Sequence, residues 1–131
     1  MILFLADHNV EGQAKLIFGA LNAEGWLELL PLRLITLAEA GLPEDSTDLY
    51  IWQVCQQRQM ILLTANRSMH ESDSLEAVLR TKVTLQSLPV VTIADPQRVS
   101  ESAYLKRCVL RLVEIALDLD NYRGTGRLYI P

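Results

Sequence analysis

A chain of 131 residues is the size of one ordinary domain and too short for two. Half of its residues are apolar and 21% are charged, which excludes a disordered chain and allows one core without disulfides or a structural metal. The net charge of −4 excludes broad, non-specific affinity for nucleic acid, though it leaves room for a local basic patch.

Residues 2–6 are an apolar run that ends in Asp7-His8-Asn9, and a run apolar on both faces suits a central strand of a parallel sheet. It lacks the basic start of a secretion signal, and no segment approaches the length of a membrane span, so the chain reads as cytoplasmic. Over residues 10–24 the apolar positions Val10, Ala14, Leu16, Ile17, Ala20 and Leu21 recur at helical spacing, with Gly25 as the stop. Residues 32–37 predict a second strand and 38–43 a loop containing Gly41 and Pro43. Asp45 with Asp48 three residues on has the form of a capped helix start, continuing to about Gln59.

Residues 60–63 predict a third strand, ending in Thr64-Ala65-Asn66-Arg67. The polar stretch 68–87 has a weak helical pattern in Leu75, Val78 and Leu79. Residues 90–93 predict a fourth strand ending at Asp95, and 99–119 one long helix. A turn over 121–126 and a short edge strand over 127–130 close the chain. Cys55 and Cys108 fall inside apolar helical patterns and read as buried, reduced thiols. Trp26 and Trp52, also in apolar segments, read as core or dimer contacts.

Strands alternating with helices predict a single α/β domain over residues 1–131. Its architecture would be a three-layer αβα sandwich on a mostly parallel sheet of four or five strands, with right-handed crossovers. In such sheets the ligand crevice lies outside the carboxyl ends of the strands. The fold by itself therefore gathers Asp7, Thr64, Asn66 and Asp95 at one edge.

The aspartate within FLADHNVEG, the acidic helix start DSTDLYIWQVCQQRQ and the threonine of ILLTANRS resemble the pattern of PIN-like domains. The resemblance is in particular to the compact group related to toxin–antitoxin ribonucleases, over roughly residues 2–95. The resemblance implies hydrolysis of RNA phosphodiesters with Mg²⁺ or Mn²⁺ bound by clustered carboxylates. It marks Asp7, Asp48 and Asn66 as catalytic and Asp7, Asp48 and Asp73 as cation ligands. His8, Thr64 and Arg67 would contact substrate.

Asn66 and Ser68 stand where that family usually carries aspartates, and His8 where it often has a second acidic residue. Glu71, Asp73 and Asp95 are candidates to replace the missing charges. A second expectation follows: a PIN-like module that keeps the fold but binds a partner, either an antitoxin-like protein or its own copy in a homodimer. A response-regulator receiver also has an aspartate after its first strand, but no phosphoacceptor aspartate closes the middle strand here.

Several of these residues have ordinary structural explanations as well. Carboxylates are favoured in the first turn of any helix, which covers Asp48. Asn66 suits a turn. His8 and His70 have no metal-ligand spacing. Arg67, Arg123 and Arg127 are candidate phosphate partners, although scattered arginines are more often solvated or ion-paired. Gly124-Thr-Gly126 lacks the strand–loop–helix setting of a phosphate loop.

Overall fold

The apolar runs fold as strands. In the computed structural model, which describes residues 1–65 and 74–131, these are β1 (Ile2–Ala6), β2 (Leu32–Thr36), β3 (Met60–Ala65), β4 (Val90–Ile93) and β5 (Arg127–Ile130). Among the described residues they form one all-parallel sheet in the order β2-β1-β3-β4-β5, with β5 at an edge as expected.

Successive strand residues point to opposite faces, and the core divides accordingly. On one face Phe4, Ala6, Ile61, Leu63, Val91 and Ile93 pack against α1 (Glu11–Ala23) and, after the short α2 (Trp26–Leu29), against α5 (Ser102–Leu117). On the other, Leu5, Met60, Leu62 and Val90 pack against α3 (Asp48–Gln57) and α4 (Ser74–Lys82). The short α6 (Leu119–Tyr122) precedes β5. The result is a helix–sheet–helix sandwich.

This arrangement corrects one expectation. The connection β1–α1–β2 runs toward one edge and β4–α5–β5 toward the other, yet α1 and α5 cover the same face. The two connections therefore have opposite hands, and β4–α5–β5 departs from the hand of the other three. Crossovers of the minority hand are rare. A physical reason is visible in the core: Val91, Ile93 and Ile130 are completely buried on the α1 face, in the cluster to which α5 contributes Tyr104, Cys108, Val109 and Leu112. On the opposite face of β5, Arg127 lies beside Glu76 of α4.

Helix boundaries differ from the sequence reading for local reasons. Ser46 closes a turn, its amide donating to the Pro43 carbonyl at 3.1 Å, so Asp45 is in a turn rather than at the cap. Thr47 caps α3 instead, its Oγ1 accepting from the Tyr50 amide at 3.2 Å, and Asp48 becomes the first helical residue. The expected helix over 99–119 is three pieces: a 3₁₀ turn Pro96–Ser100, then α5, then α6, with Glu101 extended at the first break. Gly25 does end α1, in the left-handed region at φ +84°.

Trp52 and both cysteines are buried, and the thiols are unpaired with each other. Burial pushes the Cys55 thiol up to about 12 and that of Cys108 up to about 11. Trp26 is half-buried against the α1-side core. Among the described residues, no helix is long and apolar enough to cross a membrane.

Candidate functional site

The strand order reverses between β1 and β3: the chain leaves β1 for β2 and returns across it to β3. An open parallel sheet splays its loops apart at such a point and leaves a crevice beyond the carboxyl ends. There the structure has a cleft of about 380 Å³, its open mouth included, with Asp7, Asp48, Thr64 and Arg127 as its polar lining. Ile51, Leu62 and Leu75 give it an apolar wall. The floor has room for little more than a water-sized body.

Each polar residue arrives from a different element. Asp7 follows β1 and is 8% exposed. Its amide donates to the Leu63 carbonyl and its own carbonyl accepts from the Val10 amide, both at 3.0 Å, so its backbone is fixed on both sides. Asp48 opens α3 and is half-buried. Thr64 is the penultimate residue of β3, with its Oγ1 3.4 Å from Thr92 Oγ1 on the neighbouring strand, in a pair removed from solvent. Arg127 opens β5, and its guanidinium lies 3.6 Å from Glu76 Oε2 in the first turn of α4.

No protein family, curated protein or solved structure was found to match the chain. The cleft has to be read from its own chemistry.

The sequence expectations divide cleanly by location. Asp7, Asp48 and Thr64 come together in one cleft. His8 does not line it; its side chain is 48% exposed and lies 3.2 Å from Glu44 Oε1, an ion pair when the imidazole is protonated. Asp95 lies at the same sheet edge but outside the cleft lining, and its amide donates to the Tyr104 hydroxyl at 2.8 Å. Arg123 is committed elsewhere, to Asp120 and to the Gln86 carbonyl. Asn66, Arg67 and Asp73, together with Ser68, His70 and Glu71, lie outside the described residues.

Arg127 is the residue that sequence reasoning failed to separate from other arginines. A signal was present in the alternation of Arg-Leu-Tyr-Ile: Leu128 and Ile130 join the α1-side core, which turns Arg127 and Tyr129 to the other face.

The donor set suits a hard divalent cation. Among the described residues no three His, Cys, Asp or Glu side chains converge as a metal group. Mg²⁺, however, is commonly held by one or two carboxylates, with waters and substrate phosphate completing the shell. Asp7 and Asp48 are the two carboxylates that line the cleft.

Proposed function

We propose that the cleft is the hydrolytic site of a PIN-like ribonuclease dependent on Mg²⁺ or Mn²⁺, with Asp7 and Asp48 as the cation's protein ligands. The supporting observation is that these two carboxylates, from separate elements, line one narrow cleft at the strand-order reversal. The reaction is in-line hydrolysis: a water oxygen bonds to phosphorus, the bond to the leaving ribose oxygen breaks, and that oxygen takes up a proton. A bound cation supplies an acidified water and charge stabilisation at the phosphoryl oxygens. Asp7 and Asp48 bind and orient that centre, and the apolar wall of Ile51, Leu62 and Leu75 limits water on one side. A cytoplasmic location belongs to this reading and agrees with two buried, free thiols.

The second reading is a catalytically degenerate PIN-like module that binds an antitoxin-like protein or its own copy. It is favoured by Asn66 and Ser68, which replace two expected carboxylates. At about 4 Å and an effective dielectric near 20, each lost charge removes up to about 4 kcal/mol of attraction for a unit positive charge. Arg127 adds a permanent positive charge to the cleft lining, which also opposes a cation.

Ribonuclease assays with Mn²⁺ on the wild type and on Asp7→Ala decide between them. Cleavage lost in the variant supports hydrolysis through Asp7; equal cleavage in both removes Asp7 from the reaction. No cleavage by the wild type, with a dimer or a protein complex in light scattering, supports the second reading.

A further inference from the structure

One side of α5 packs on the sheet through Cys108, Val109, Leu112, Val113 and Ala116, the buried set of an amphipathic helix. At 3.6 residues per turn the opposite stripe carries Ala103, Lys106, Leu110, Glu114 and Leu117, and all five are exposed. Leu110 is 43% and Leu117 66% exposed. Isolated leucines on a surface are ordinary. These two, however, stand seven residues apart on one line of the helix, between a cationic and an anionic position.

The stripe is symmetric about Leu110. Ala103 and Leu117 lie seven residues before and after it, and Lys106 and Glu114 four before and after. An antiparallel copy turned about a two-fold axis at Leu110 therefore meets it with matching chemistry. Leu110 faces Leu110 of the second copy, the small Ala103 faces the large Leu117 twice, and Lys106 faces Glu114 twice. A two-fold contact requires such a self-complementary patch. Within its own helix the same charge order is unfavourable: α5 has no acid in its first turn and no base in its last, and Glu114 stands near the negative end of the dipole. An antiparallel neighbour brings its cationic half alongside that end. Glu114 has one partner in its own chain, Arg111 at 3.1 Å, and its side chain remains 65% exposed.

We infer that the outer face of α5 is the contact between two copies of this chain, packed antiparallel about a two-fold axis at Leu110. The 16 residues of α5 form a strip about 24 Å long and about 10 Å wide. That is well below the roughly 800 Å² per partner of a standard interface, so the dimer is weak and forms at high protein concentration. The cleft is on the other layer of the sandwich, against α3 and α4, and stays open in such a dimer. The pairing rests on neither reading of the cleft, and it gives the self-association of the second reading a specific face.

Sedimentation equilibrium from micromolar to millimolar protein tests the pairing. The wild type is expected to dimerise, less tightly as salt is raised. Lys106→Glu and Glu114→Lys each put like charges at both charged contacts and are expected to weaken the dimer at least about tenfold. Mixed in equal amounts, the two variants face each other with opposite charges at both contacts, and a heterodimer should form about as readily as the wild-type dimer. Misfolding of either variant cannot produce that recovery. Leu110→Glu sets like charges on the axis itself and must also weaken the dimer. A wild type that stays monomeric at millimolar concentration overturns the inference. A dimer indifferent to all three substitutions overturns it too, while leaving self-association through another face. Weakening by each charge variant without recovery in the mixture overturns the antiparallel register. None of these outcomes bears on Mn²⁺-dependent cleavage, which the ribonuclease assay decides separately.

Discussion

The Asp7 amide donates to the Leu63 carbonyl at 3.0 Å, so the residue that leaves β1 is still tied to β3. The first carboxylate of the cleft is thereby placed by the sheet itself, next to Thr64 near the end of the same neighbouring strand. Asp48 depends instead on where α3 begins, which the Thr47 cap determines. One half of the cleft is set by strand register and the other by a helix start.

Both aspartates can be tested by substitutions that keep their shape. Asp7→Asn and Asp48→Asn each preserve shape and remove one charge, and each is expected to weaken Mn²⁺ binding at least about tenfold, roughly the free energy of one charge-assisted ligand. Thr47→Ala should cost about 1 kcal/mol of stability by removing the cap of α3. Calorimetry for the metal and urea melts for stability separate the effects. Identical Mn²⁺ isotherms for the wild type and both asparagine variants would strip the aspartates of any role as cation ligands.

Thr64 and Thr92 form a second testable pair, 5% and 0% exposed with hydroxyls 3.4 Å apart. Thr92→Val leaves the Thr64 hydroxyl facing a methyl group and should cost about 1–2 kcal/mol. The double variant Thr64→Val with Thr92→Val removes both polar groups and should cost less than the sum of the single changes. Strictly additive losses in urea unfolding would mean that each hydroxyl is satisfied independently of the other.

The strands were legible because burial on both faces leaves nearly uninterrupted apolar runs, and residues 2–6, 90–93 and 127–130 match the observed bounds. Helix starts were less legible. Asp45 and Thr47 are both good caps in isolation, and only the Pro43–Ser46 turn decides between them. In the cleft, Asp7 and Thr64 could be anticipated because strand ends gather at one edge of a parallel sheet. Arg127 could not be singled out in that way. Its place depends on which face α5 covers, and that hand is set by packing of the whole sheet rather than by any local pattern.

Gly124 offers a control on the loop that leads into β5. Its φ is +82°, and a Cβ there would lie 3.1 Å from the Leu85 Cα, a backbone atom that cannot swing aside. Gly126 has a similar φ of +85° but open space around it. Gly124→Ala should therefore cost more than Gly126→Ala, which carries only the conformational penalty of about 1 kcal/mol. Equal losses in urea melts would show that the loop at Leu85 shifts to admit the methyl group.

The two buried thiols predict an alkaline limit to stability. Desolvation holds Cys55 and Cys108 protonated in the folded chain up to about 12 and about 11, against 9.0 for an unperturbed thiol. Below pH 9 folded and unfolded states carry the same thiol protons, and the stabilisation is fully present. Above it the unfolded chain releases protons that the folded chain keeps, so stability falls as pH rises, by up to about 1.4 kcal/mol per pH unit for each thiol. The decline continues until the folded thiols ionise, near pH 11 for Cys108 and near 12 for Cys55. Urea melts between pH 8 and 11 should follow this slope, and Cys108→Ala should flatten part of it. Iodoacetamide at pH 8 should leave the native protein unmodified and label both residues once urea unfolds it. Rapid labelling of the native chain would contradict the burial on which the whole pH argument depends.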